Sequence, residues 1–162
     1  VVTEEWHFQA DAGRSLAEMV PELQARFPDH AALIDAYATR FVESIPGPVP
    51  GTHELVERLA ANGVPLFALS NFGAEFWAMF RPTAPLFGLF ADCVISGEER
   101  CAKPDPGIYA VLERRAGLAG QALLFVDDRA DNIAAARARG WQGHVFTQAP
   151  ALETDLARRG LI

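Results

Sequence analysis

The run Leu123-Leu124-Phe125-Val126 leads straight into Asp127-Asp128, then into Arg129-Ala130-Asp131-Asn132 and a small-residue stretch, Ile133-Ala134-Ala135-Ala136, that stops at Gly140. Four consecutive apolar residues describe a strand buried on both faces rather than one with a wet side. The segment therefore reads as strand, acidic turn, helix. A single Asp at such a turn would be an ordinary turn or N-cap residue. Two side by side at the end of a buried strand are different. Burying a carboxylate costs several kcal/mol unless it is paired or metal-bound, so something cationic is expected beside Asp127 and Asp128.

The segments before it supply the rest of a layered fold. Ser15 and Glu18 have capping-box spacing, and Leu16, Met19, Val20 and Leu23 follow at helical intervals, with Pro21 as a kink or a break. A second helix is expected from about His30 to Glu43, burying Leu33, Ile34, Tyr37, Ala38 and Phe41. The segment Pro46-Gly47-Pro48-Val49-Pro50-Gly51 is a stiff break. It divides a helical part, residues 1–46, from residues 47–162. Beyond it, helices alternate with short strands. Thr52 is placed as an N-cap, and Leu55, Val56 and Leu59 form a stripe ending at Asn62-Gly63. Strands follow at Val64–Leu69, Cys93–Ile95, Leu123–Val126 and His144–Phe146. Asp105-Pro106 opens the helix that stops at Gly117, and Ala151–Arg159 forms the last one. Such alternation predicts an α/β fold, a parallel sheet with helices on both faces.

In an open parallel sheet, ligands bind beyond the carboxyl ends of the strands. The polar residues at those ends are Ser70 and Asn71, Lys103 after a loop, and Asp127 with Asp128. A hydroxyl, an amide, an ammonium and two carboxylates suit a phosphate and a divalent ion. Ser70 would donate to phosphoryl oxygens, Lys103 would neutralise charge, and Asp128 would hold Mg²⁺, which commonly takes one or two carboxylates plus waters. Asn132 points at the same place or merely begins its helix. Taken singly, Ser70-Asn71 is also a plain turn and Lys103 a solvated charge, and their weight comes from the combination. The four histidines are scattered and read as structural or solvent-facing. Trp77 and the phenylalanines at 76, 80, 87 and 90 read as core.

Composition limits the partners. The formal net charge is −7, which argues against a nucleic-acid surface, since phosphate backbones require clustered Lys and Arg. A small anionic substrate is still compatible, because one focused positive pocket can sit on an acidic protein. Cys93 and Cys101 form no disulfide framework, so a reducing cytoplasm is expected. No apolar run approaches ~18 residues, and no membrane partner is expected.

With Leu69-Ser70-Asn71, Lys103-Pro104 and Val126-Asp127-Asp128-Arg129-Ala130-Asp131-Asn132 in this order, the chain resembles the haloacid dehalogenase-like (HAD) hydrolase superfamily, over roughly residues 48–148. Residues 1–46 resemble part of its helical cap. The resemblance implies a Rossmann-like core and an aspartate nucleophile that forms a covalent intermediate. Ser70 and Asn71 would bind phosphate, and Lys103 would serve catalysis by pairing with nucleophile and substrate. Asp128 would ligate Mg²⁺, with Asp127 as a second ligand or just outside the metal. Asn132 stands where many members carry another acid, in reach of an outer position around the ion. The Asp-Asp pair resembles the Mg²⁺-dependent phosphatases rather than the metal-free 2-haloacid dehalogenases, which remain the alternative, as does a non-catalytic interaction protein. The expected substrate is a small phosphorylated molecule, and the expected state a monomer or homodimer. The family's first motif, a strand ending in Asp-x-Asp, is not among these residues. Because the chain begins Val1-Val2, the expectation is a longer product that carries it, and no normal turnover by residues 1–162 alone.

Overall fold

The computed structural model describes all residues, Val1–Ile162. In chain order the elements are α1 (Glu4–Asp11), α2 (Leu16–Arg26), α3 (Ala31–Thr39), α4 (Thr52–Ala61), β1 (Phe67–Ser70), α5 (Ala74–Phe80), β2 (Asp92–Ile95), α6 (Ser96–Glu99), α7 (Pro106–Ala116), β3 (Leu124–Asp127), α8 (Ala130–Ala138), β4 (Gln142–Val145) and α9 (Ala149–Arg158). Short 3-10 turns fill several of the gaps. The chain forms two compact units: Val1–Pro46 with Leu69–Pro85 and Val94–Ala102, and Gly47–Ala68 with Leu86–Cys93 and Lys103–Ile162. No helix is long and apolar enough to cross a membrane.

The first unit is helical around an aromatic core. Trp6 and Ala10 of α1, Met19 and Leu23 of α2, Ile34 of α3, Phe41 and Phe76 are buried together. The capping box forms, with the Ser15 N–H and hydroxyl both donating to Glu18 Oε2 at 3.3 and 3.0 Å. Pro21 sits inside an unbroken α2. The expected helix from His30 to Glu43 is instead a 3-10 turn at Pro28–His30, then α3, then a second 3-10 turn at Phe41–Ser44. Leu33 is not buried but 69% exposed, because the shorter helix turns Ile34 and Ala38 to the core. Gly97, at the start of α6, leaves no room for a side chain. A Cβ there would stand 2.4 Å from Ala74 N and 2.8 Å from Phe72 O.

The second unit is a layered α/β arrangement. β3 and β4 run parallel with Leu124 opposite Gln142 and Asp127 opposite Val145. On one face, Leu124 and Val126 pack against Leu55 of α4 and Ala149, Leu152 and Leu156 of α9. On the other, Phe125, Tyr109 of α7 and Trp141 meet edge to face with centroids 5.4–5.9 Å apart. Helices thus cover both faces, as the apolar run demanded, although Leu124 and Val126 are only half-buried. α8 lies so close on β4 that a Cβ at Gly143 would come within 2.7 Å of Ile133 Cγ2.

Strand ends move where the backbone requires it. β1 starts at Phe67 rather than Val64, since Pro65 has no N–H to give a ladder. β4 starts at the polar Gln142 because pairing with β3, not apolarity, defines it. Thr52 is the first helical residue, and Gly51, with φ +82°, takes the cap position. The strands form two separate two-stranded sheets, β1 with β2 and β3 with β4, so β3 has a strand partner on one side only.

Replacing Gly97 by Ala should cost about 1–3 kcal/mol, the usual range for forcing atoms into a packed site. Gly88→Ala, with nothing within 4 Å of its Cβ, should stay within about 0.5 kcal/mol. Urea midpoints of the two variants decide this, and equal midpoints would refute the packing at Gly97.

Candidate active site

β3 delivers Asp127 at its last position, and the loop before α7 delivers Lys103. The Lys103 Nζ lies 2.7 Å from Asp127 Oδ2, with the two side chains 8% and 6% exposed. The other carboxylate oxygen, Oδ1, accepts the Arg129 N–H at 2.9 Å and the Asn132 Nδ2 at 2.9 Å. Both oxygens of Asp127 are therefore engaged, by one ammonium, one amide side chain and one backbone N–H. Lys103 Nζ also sits 5.3 Å from the centre of the Phe125 ring, where the ring face favours a cation.

The neighbours explain why these groups hold still. Asp105 caps α7 by accepting the Gly107 N–H at 2.7 Å, and Pro106 occupies the first helical position. This fixes the chain just after Lys103, whose bond to Pro104 is cis. On α7 the buried Tyr109 hydroxyl donates to the Asn132 backbone oxygen at 2.9 Å. Burial first, then the negative charges of Asp127 and Asp131, push the Tyr109 hydroxyl up to about 12, so it remains a neutral donor at physiological pH. Asn132 is 2% exposed. Its Oδ1 is buried with nothing donating to it, an acceptor that a water, a donor group or a cation would satisfy.

Asp128 behaves differently from its neighbour. It is exposed and stands outside the Lys103–Asp127–Asn132 network. Arg129 turns to Asp131 instead, at 2.7 Å, in an exposed pair that contributes little to stability. No group of three His, Cys, Asp or Glu side chains gathers to hold a metal. The residues present offer the exposed carboxylate of Asp128 and the unpartnered Oδ1 of Asn132 as hard oxygen donors, next to a carboxylate already committed to Lys103. That fits Mg²⁺, which rarely uses a full protein cage.

Of the residues expected at a site, Lys103, Asp127 and Asn132 are brought together in the second unit, with Asp128 adjacent. Ser70 ends β1 in the first unit and Asn71 follows it. The N–H of the next residue, Phe72, donates to Ser96 Oγ at 3.0 Å. Tyr109 and the fully buried Ser96 went unnoticed in the sequence. Tyr109 carried a signal, since it shares a helix face with the apolar residues at 108 and 112. Ser96 carried only its place just past β2. His144 is not solvent-facing. Its Nδ1 lies 3.0 Å from the buried Asp155, which the Arg159 Nε also reaches at 3.0 Å. Burial pushes the Asp155 carboxyl up, but these hydrogen bonds and charges outweigh it and the net shift is downward.

Comparison with known proteins gives a consistent picture. A family model for haloacid dehalogenase-like hydrolases matches residues 2–140. Flavin mononucleotide hydrolase 1 of Arabidopsis thaliana is 30% identical over 114 residues, covering 68% of this chain and 45% of that protein. Phosphoglycolate phosphatase of Yersinia pseudotuberculosis is 29% identical over 108 residues, 67% of this chain and 47% of that one. The chain thus spans about half the length of the curated relatives it matches. A HAD family enzyme from Bacteroides thetaiotaomicron, solved with magnesium and inorganic phosphate, superposes with a TM-score of 0.70 at 23% identity, covering 86% of this chain and 73% of that one. At that identity the likeness shows the fold, a Rossmann-like α/β core.

Lys103→Met should lower stability by about 3–5 kcal/mol, because it strands Asp127 as a buried, unpaired charge. Asp128→Asn, on an exposed carboxylate, should change stability by less than about 0.5 kcal/mol. Chemical denaturation of both variants tests the contrast, and a Lys103→Met loss below that of Asp128→Asn would contradict the buried pair.

Proposed function

The chain belongs to the haloacid dehalogenase-like hydrolase family, and from that premise we propose that it is part of a Mg²⁺-dependent phosphatase acting on a small phosphomonoester. The observation that carries this reading is the buried Lys103–Asp127 pair with an uncommitted carboxylate, Asp128, at the next position. In this proposal Asp128 is the metal ligand. Asp127 would support that site without ligating the ion, since its oxygens serve Lys103, Arg129 and Asn132. Asp127 and Asn132 then hold the Lys103 ammonium at a fixed place, where it neutralises charge on the transferred group. Ser70 and Asn71 donate to phosphoryl oxygens. Mg²⁺, when bound, would clamp substrate oxygens and offset the charge that develops on them.

The attacking carboxylate is proposed to come from outside residues 1–162, on a strand that pairs with the open side of β3. It would attack phosphorus as the ester P–O bond breaks and the alcohol leaves with a proton, forming an aspartyl-phosphate that water then hydrolyses to inorganic phosphate and the free carboxylate. Residues 1–46 would be part of a helical cap. A magnesium- and phosphate-bound neighbour and relatives named as phosphatase and flavin mononucleotide hydrolase support the reaction class.

The test compares residues 1–162 with the same chain extended by its upstream coding sequence, each with and without Mg²⁺. Phosphoglycolate, flavin mononucleotide and a generic aryl phosphate are the first substrates. The extended protein should release phosphate only with Mg²⁺, and Asp128→Asn should reduce that at least 100-fold, roughly the loss of one charge-stabilising group. The shorter chain should show no turnover. Metal-independent release of halide from a 2-haloacid would overturn the phosphatase reading in favour of dehalogenation.

A further inference from the structure

β1 ends at Ser70, and Asn71, Phe72 and Gly73 carry the chain to α5. These residues share the first unit with Ser96 and Gly97, which open α6. The Phe72 N–H donates to Ser96 Oγ at 3.0 Å. The Phe72 oxygen accepts the Gly97 N–H at 3.1 Å. Two adjacent residues of α6 therefore hold both backbone polar groups of one residue. Ser96 is 0% exposed, a depth at which a hydroxyl is costly unless it is hydrogen-bonded. Its backbone oxygen turns elsewhere, to the Cys101 N–H at 3.2 Å, so the side chain is what serves Phe72.

The surroundings leave little freedom. A Cβ at Gly97 would lie 2.4 Å from Ala74 N and 2.8 Å from the Phe72 oxygen, and one at Gly73 would lie 2.9 Å from the Ala10 Cβ. The Phe72 ring is fixed as well, edge-on to Phe41 and stacked on Phe80 with centroids 5.7 Å away in each case. Ring packing places the residue but does not set the plane of the peptide that precedes it. That plane contains the Phe72 N–H and the Asn71 carbonyl together. By holding the N–H, Ser96 Oγ fixes the carbonyl end of Asn71 too. It also withholds the Phe72 N–H from any bound anion.

We propose that Ser96 is a positioning residue for Ser70 and Asn71, acting through the peptide plane that joins Asn71 to Phe72. The proposal rests on the reading that Ser70 and Asn71 contact the phosphoryl group. Donors are worth most to an anion when they are already in place and need no reorganisation. Ser96 supplies that order from a buried position.

The experiment uses the ¹⁵N-labelled chain with inorganic phosphate as the probe. Ser96→Ala removes the hydroxyl, and Ser96→Cys largely keeps the volume but offers only a weakly accepting sulfur. Both should speed exchange of the Phe72 amide about tenfold, as expected for one lost hydrogen bond. Both should lower the order parameters of the Ser70 and Asn71 amides from the rigid value of about 0.85 toward the flexible range below about 0.6. Phosphate affinity should fall by at least about fivefold, within the worth of one hydrogen bond. Ile34→Val, a small loss in the core of the same unit, should lower the urea midpoint and leave the order parameters and the phosphate affinity unchanged. Unchanged order at Ser70 and Asn71 in the Ser96 variants would overturn the proposal. So would an unchanged affinity in a chain that binds phosphate, or an Ile34→Val loss of affinity equal to that of Ser96→Ala. If Ser96→Ala does not fold, Ser96→Cys decides; failure of both to fold would make Ser96 a residue of the fold and overturn the proposal too. Phosphate that leaves the Ser70 and Asn71 amides of the unaltered chain unmoved would defeat the phosphoryl contact instead, and the order parameters would then decide the positioning role alone.

Discussion

Lys103 and Asp127 are both nearly excluded from water, and the second unit is arranged to make that tolerable. An isolated charge at this depth would cost several kcal/mol, and their attraction offsets the cost only if the remaining lone pairs find donors. They do: one oxygen of Asp127 takes the ammonium, and the other takes the Arg129 N–H and the Asn132 amide. Well-packed apolar residues of the same volume would do as well or better for stability alone. What the pair does supply is a cation held at a fixed point at a strand end.

The elements around the pair follow from it. α7 begins three residues after Lys103, at Pro106, behind the Asp105 cap. α8 must begin within reach of Asp127, so Asn132 lies in its first turn. Tyr109 joins the two helices by donating to the Asn132 backbone. The Phe125 ring under Lys103 belongs to the same strand as Asp127 and packs against Tyr109 and Trp141. The pair is thus held from strand, loop and two helices at once, and each contact serves both packing and charge placement.

Much of this was legible in the sequence because it is local. The apolar run into Asp127-Asp128, the Asp105-Pro106 start and the Gly117 stop each depend on a few adjacent residues. The α/β layering followed from their alternation. What was not legible depends on distant partners. Nothing near Lys103 says that it is buried, since its burial is set by Asp127, 24 residues on. The polar start of β4 is invisible without β3 beside it, and Leu33 looked buried only while α3 was drawn too long. The glycines at 73, 97 and 143 mark the same limit, for each is required by backbone or side chains far along the chain.

Asp11 and Asp127 show how one residue type is set differently by its surroundings. Asp127 has a full positive charge against it, so its own charge is matched and its geometry is constant. Asp11 is also partly withdrawn from water, but no cation is paired with it. Burial therefore wins, and the carboxyl rises to about 6. The linkage runs accordingly. The folded state holds the Asp11 proton more tightly than the unfolded chain, so this group favours folding less as pH rises from about 4 to about 6.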